Sequence, residues 1–142
     1  MEWMHNNVYG SSEDVKLINI DAAAGTAVLR LRVASHHVTE GRTLDEGLVA
    51  TVADNWTSYV LVAQAAVARP TISPFSVSTS LSVRTLQRVS PGATIDIECS
   101  VPCANPIKPF VTAVFRDANF PDIVYSVATH TKEYKSFASA NL

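Results

Sequence analysis

A chain of 142 residues is one domain's worth of protein, and 47% hydrophobic beside 17% charged residues is the balance of a globular fold that buries its own core. A formal charge of −2, from 11 basic and 13 acidic residues, gives no electrostatic footprint for nucleic acid and no polybasic run for a membrane surface. The longest apolar-leaning stretch, residues 48–68, is interrupted by Asp54, Asn55 and Gln64, so no membrane insertion is expected. The first residues carry Glu2, Glu13 and Asp14 and lack a basic lead into an apolar run, which argues against a secretory or transit leader. A reducing, intracellular compartment is the default expectation, the cytoplasm first, with the mitochondrion left open.

Residues 1–14 read as an N-terminal extension, 15–135 as one domain and 136–142 as a tail. Residues 15–21 and 26–33 form a predicted hairpin around Ala22-Ala23-Ala24-Gly25, because Val28, Arg30 and Arg32 alternate with Leu29, Leu31 and Val33 at period two. From 44 to 68 the period lengthens and no proline intervenes before Pro70, so a helix is expected. Thr43 with Glu46 three residues later matches a capping box. Leu44, Leu48, Val52, Trp56, Tyr59, Val62 and Ala66 spread over more than one stripe, which predicts a helix buried on most sides. Residues 75–89, 94–101, 110–116 and 123–135 then read as strands, with Ser90-Pro91-Gly92 and Asp117-Ala118-Asn119 as turns. The order implies an α+β fold in which an antiparallel sheet wraps one long central helix.

Asp54 stands out chemically, since a carboxylate in the middle of an apolar helix is costly unless it is paired, hydrated or working. At helical spacing, Gly47, Ala50, Thr51, Asp54 and Ser58 make a narrow face of small or polar residues beside which a ligand or a second chain fits. Two readings stay open: a working carboxylate, or a polar pair of Asp54 and Asn55 satisfied by Thr51, Ser58 or backbone at a subunit contact. His36 and His37 lack a third ligand at zinc spacing, so no metal site is expected. Cys99 and Cys103, with three residues between them, fit neither a redox pair nor a zinc ribbon and read as structural.

The run Arg42-Thr43-Leu44-Asp45-Glu46-Gly47-Leu48-Val49-Ala50-Thr51-Val52-Ala53-Asp54-Asn55 resembles the helix signature G-T-L-H-G-G-L-x-A-T-L-x-D-N of hotdog-fold acyl-CoA thioesterases of the PaaI-like, thioesterase superfamily member 2 type. Ser90-Pro91-Gly92 is similar to that family's S-P-A/G turn, and Ala128-Thr129-His130-Thr131-Lys132 to its closing A-x-G-x-H-T-K strand. The resemblance implies a hotdog fold and hydrolysis of a fatty or aryl acyl-CoA to free acid and CoA. It places the family's helix carboxylate, a general base or nucleophile, on Asp54, and the oxyanion donors on the amides of Glu46 and Gly47. The loop Asn of the family falls at Thr39, and its strand serine falls at Leu81, between Ser80 and Ser82. Asn55 and Ser58 flank the carboxylate on the substrate side, while Arg84, Arg88, His130, Lys132 and Lys135 are candidates for CoA phosphates.

The family builds each site from two subunits, which implies a homodimer or a dimer of dimers, with no cofactor. This chain departs from the pattern where His-Gly-Gly becomes Asp45-Glu46-Gly47, so the imidazole is lost and two carboxylates gather near the oxyanion site. The alternative reading is therefore a non-catalytic hotdog module that binds acyl thioesters or serves assembly. Dehydratase or isomerase chemistry would call for a catalytic histidine in or near the helix, and the helix itself has none, which lowers that reading.

Overall fold

The computed structural model describes residues 14–71 and 73–134; the expectations for residues 1–13, for Lys135 and for the 136–142 tail lie outside the described residues. The elements are β1 (Val15–Asp21), β2 (Thr26–Arg32), a single 3-10 turn at Ser35–His37, α1 (Glu46–Ala68), β3 (Ser76–Thr85), β4 (Thr94–Cys103), β5 (Phe110–Asp117) and β6 (Val124–Tyr134). The six strands form one sheet in the order β1-β2-β4-β5-β6-β3, and every neighbouring pair is antiparallel. This is the α+β layout that the element order implies, with β1 and β3 as the two edges.

The hydrophobic period decides which sheet face holds the core. Leu29 and Leu31 of β2, Ile95 and Ile97 of β4, and Val111, Ala113 and Phe115 of β5 are all 2% exposed or less and form one apolar surface with Ala128 of β6. Against it α1 lays Leu48, Val49, Val52, Ala53, Thr57, Val60, Leu61 and Ala65. Contrary to the sequence expectation, this is the face of α1 that the described residues bury: Tyr59 and Val62 are half-buried and Ala66 is exposed. One sheet covers one side of the helix, and no second layer among the described residues lies on the other.

The helix also begins later than residue 44. The Leu44 amide donates to the Val89 carbonyl (2.9 Å), Leu44 bridges Val38, and Thr43 Oγ1 accepts the Val89 amide (3.2 Å). Those bonds hold residues 43–44 extended, so the Thr43–Glu46 capping box does not form. Asp45 caps the helix instead, its Oδ1 accepting the Leu48 amide at 3.0 Å. Likewise β3 ends at Thr85 rather than residue 89, because the amides of Leu86 and Gln87 both turn to the Tyr125 carbonyl.

The β1–β2 turn locks onto the helix through Gly25. Its φ of +69° is a left-handed value, its carbonyl accepts the Val101 amide (2.9 Å), and a Cβ there would lie 2.4 Å from Gln64 Nε2 of α1. Gly25→Ala is expected to lower the urea-unfolding stability by about 1–3 kcal/mol, from backbone strain plus the overlap with Gln64. In the Gly25→Ala/Gln64→Ala double variant the overlap disappears, so a cost beyond that of Gln64→Ala alone but smaller than the Gly25→Ala cost is expected from the same titration.

Candidate functional site

A helix leaves its first four amides without intrahelical acceptors, and here each can be accounted for. The Asp45 amide donates to the His37 carbonyl (2.9 Å), the Leu48 amide to Asp45 Oδ1, and the ladder begins with Val49 N–H to Asp45 O (3.1 Å). The amides of Glu46 and Gly47 remain without an acceptor among the described residues, both on exposed residues at the positive end of the helix dipole. The Asp45 carboxylate is engaged as the cap and so is turned back onto the helix. Gly47 is the small residue this arrangement needs, since a Cβ there would sit 2.9 Å from Asp45 Oδ1.

The second group lies two turns along α1. Asp54 is 48% exposed rather than buried, and its Oδ1 is 3.4 Å from His130 Nε2 and 3.5 Å from Ser78 Oγ. His130, on β6, is fully buried, with Nε2 2.8 Å from Ser78 Oγ and Nδ1 2.7 Å from Thr57 Oγ1. Lys132, two residues along the same strand and 5% exposed, donates to Ser58 Oγ (3.0 Å) and Ser78 Oγ (3.2 Å). Ser58 in turn donates to the Asp54 carbonyl (2.6 Å). Three elements thus converge on one polar cluster at the margin between α1 and the β6–β3 pair.

Burial, followed by the charge of Lys132, holds the His130 imidazole below its ordinary value, with Asp54 opposing the shift. His130 is therefore neutral at pH 7, and its 3.4 Å approach to Asp54 is not an ion pair there. Burial also lowers the Lys132 ammonium, again partly offset by Asp54.

The residues picked from sequence divide into two groups. Asp54, Ser58, His130 and Lys132 meet in the cluster, His130 fully buried there rather than placed for a CoA phosphate, and Asn55 is half-buried beside Asp54 on α1. Lys132 is enclosed between two serine hydroxyls and is not presented to solvent as a phosphate contact would be. Ser80, Ser82 and Arg84 pair with Thr131, Thr129 and Val127 of β6 and so face away from the helix, while Leu81, opposite His130, faces it. Arg88 is exposed beyond the end of β3. The Thr39 hydroxyl turns to the Thr43 carbonyl (3.4 Å), closing the loop ahead of the helix.

The strand hydroxyl that does reach Asp54 is Ser78. A bulge at Thr79, whose Oγ1 donates to the Thr131 carbonyl (3.0 Å), shifts the register between Ser78 and Ser80, which spacing along the sequence does not register. Thr57 and Ser78 are the members of the cluster that sequence reading missed. Thr57 looks like a core position in sequence, and only the spatial pairing with His130 reveals its role.

Elsewhere, the third group that His36 and His37 lacked in sequence is supplied by Asp14, whose Oδ2 lies 3.0 Å and 3.2 Å from their Nε2 atoms. The Ala34 amide donates to His37 Nδ1 (2.9 Å), which places the neutral ring's proton on Nε2, facing Asp14. That arrangement makes a hydrogen-bonded clamp and leaves no lone pair on His37 Nε2 for a metal. Cys99 is buried, its thiol pushed up to about 12 by desolvation, and Cys103 is exposed.

No protein-family model matches the chain, and no curated protein sequence matches it. Solved structures do. Zebra fish thioesterase superfamily member 2 superposes with a TM-score of 0.79 at 19% identity, over 94% of this chain and 92% of that one. Escherichia coli PaaI gives 0.75 at 12% identity, over 95% and 89%. A Streptococcus mutans protein bound to acetyl CoA gives 0.73 at 14% identity, over 93% and 97%. The chain has the hotdog fold of these proteins. No helix among the described residues is long and apolar enough to cross a membrane.

The lowered His130 value has a consequence for stability. As pH falls below the ordinary histidine value near 6.5, the unfolded chain takes up a proton that native His130 resists, so stability is present above that pH and lost on acidification. Urea midpoints measured between pH 7.5 and 5 should fall towards acid, and the His130→Gln variant should show a shallower fall.

Proposed function

We propose that the protein is an acyl-CoA thioesterase that works as a homodimer. The observation that carries this reading is the pairing of two features on one helix: a half-exposed carboxylate backed by a buried polar cluster, and two uncommitted amides at the positive helix end. Seven residues of helix separate Gly47 from Asp54, roughly 10 Å along the axis, too far for one thioester carbon to meet both. A second chain laid against the open face of α1 would bring its own Glu46 and Gly47 amides to the first chain's Asp54. The small and polar residues Gly47, Ala50, Thr51 and Ser58 favour that close approach, and acetyl CoA bound to a similarly folded protein supports a CoA thioester as ligand.

In this reading Asp54 takes a proton from water as the water oxygen adds to the thioester carbon. The oxyanion that forms is held by the partner's helix-end amides, each donor worth roughly 2.7–4 kcal/mol in the transition state. The carbon–sulfur bond then breaks, releasing a fatty or aryl acid and CoA. The commitment of Asp45 to the Leu48 amide keeps one of the two extra carboxylates out of the oxyanion's way. The exposed Glu46 side chain beside the free amides is the observation that favours the second reading, a hotdog module that binds thioesters without hydrolysing them.

Purified protein offered short, medium, long and aryl acyl-CoAs should release thiol, followed with a chromogenic reagent, and Asp54→Asn should lose about 100-fold or more in kcat. Release at the buffer rate, or release indifferent to Asp54→Asn, sinks the enzyme reading in favour of the binding module.

The dimer should form by continuing the sheet across β3, an edge strand with Val77 and Leu81 exposed. Light scattering at micromolar concentration is expected to give at least twice the chain mass; a monomer contradicts the shared site.

A further inference from the structure

The face of the sheet turned away from α1 carries a group of cations at its β1 end. Lys16 of β1 stands directly opposite Arg30 of β2, Arg32 follows two residues on along the same face, and Thr94 of β4 stands opposite Arg32. Like charges set across neighbouring strands destabilise a sheet, so three cations kept together need something to balance them. Within the described residues only Arg30 is balanced, its Nε and Nη2 forking onto Asp96 Oδ1 and Oδ2 at 2.7 and 2.9 Å. Lys16 and Arg32 are exposed and make no hydrogen bond or ion pair with another described residue, and the Thr94 hydroxyl is likewise uncommitted. The other carboxylate nearby, Asp14, is engaged by His36 and His37. These side chains line a hollow of about 430 Å³, to which Val33 and Ala34 add an apolar part.

We propose that this hollow binds a phosphate group, free or carried as the phosphoester of a small molecule, at a site separate from the thioester site. The donor set selects phosphate over carboxylate. The Arg32 fork takes two oxygens, the Lys16 ammonium supplies a point charge to a third, and the Thr94 hydroxyl donates from the neighbouring strand, so a group with three terminal oxygens uses all of them. Arg30 is held in place by Asp96 and adds its charge without having to be ordered on binding. The volume lies within the roughly 300–1,000 Å³ of small-ligand sites and exceeds what one phosphate fills, which leaves the apolar part for an organic remainder. Asp54 stands on the other side of the sheet, against β6 and β3. Three strand spacings of roughly 4.8 Å lie between β2 and β6, so one thioester does not span both places. The site is independent of the thioesterase reading.

The experiment titrates the 15N-labelled full chain with inorganic phosphate, ADP and adenosine, at an ionic strength held constant with sodium chloride, and follows the backbone amides by NMR. Phosphate and ADP are expected to shift the amides of Lys16, Arg32 and Thr94 saturably, and adenosine to leave them in place. Tighter binding of ADP assigns the site to a phosphoester, and equal affinities assign it to free phosphate. Arg32→Gln and Lys16→Gln should each weaken binding at least about 10-fold, the loss of one charge-assisted contact. Lys108→Gln, at an exposed cation in the loop between β4 and β5, should leave the affinity unchanged. The same spectra report whether each variant is folded, and the wild-type titration is decisive by itself. No saturable shift at those three amides up to about 10 mM phosphate or ADP overturns the proposal. So does an equal response to adenosine, or binding undiminished in both glutamine variants.

Discussion

One sheet can cover only one side of a helix, and most of what is distinctive here follows from that constraint. The apolar stripe of α1 from Leu48 to Ala65 is spent against β4, β5 and β6, and the stripe from Gly47 through Asp54 to Ser58 is left half-exposed. A long helix with an open flank of small side chains is a surface built for close approach. The carboxylate on that flank avoids the desolvation cost that full burial would impose, yet stands against a polar cluster built on buried His130 and Lys132.

That cluster shows how a protein places a lysine and a histidine inside a core at tolerable cost. Each buried polar atom has a partner: the lysine ammonium has two serine hydroxyls, and the imidazole has a threonine on one side and a serine on the other. Two of those partners belong to α1 and one to β3, so the network also pins the helix against the strand pair at the sheet's end. Satisfying the buried groups and aiming the groups at the open flank are done by the same bonds.

The sequence announced the element order, both ends of β1, the start of β2 and the Gly25 turn, because these are local: alternation, proline placement and one left-handed glycine. Asp54 was legible as a costly charge at a helical period, and Glu46 and Gly47 as the first amides of a helix. The misreadings share a different cause, since each depended on a partner distant in the chain. Thr43 looked like a cap but is claimed by Val89, 46 residues on, which passes the capping role to Asp45. The helix looked enclosed because composition does not say how many layers will cover it. Ser80 and Ser82 were picked because the family's strand serine falls at Leu81 between them, and that spacing has no term for an unpaired residue at Thr79.

The bulge at Thr79 also settles the character of an edge. Upstream of it, Ser76 and Ser78 share the helix-side surface; downstream the parity flips, so Leu81 and Val83 take that side and Ser80, Ser82 and Arg84 take the outer one. Without the extra residue the same ten-residue strand would turn Thr79, Leu81 and Val83 outwards along a free border of the sheet, an adhesive stripe open to any passing strand. A single additional amino acid thus lets one segment serve two environments, hydroxyls towards the helix ahead of the bulge and apolar side chains towards it beyond.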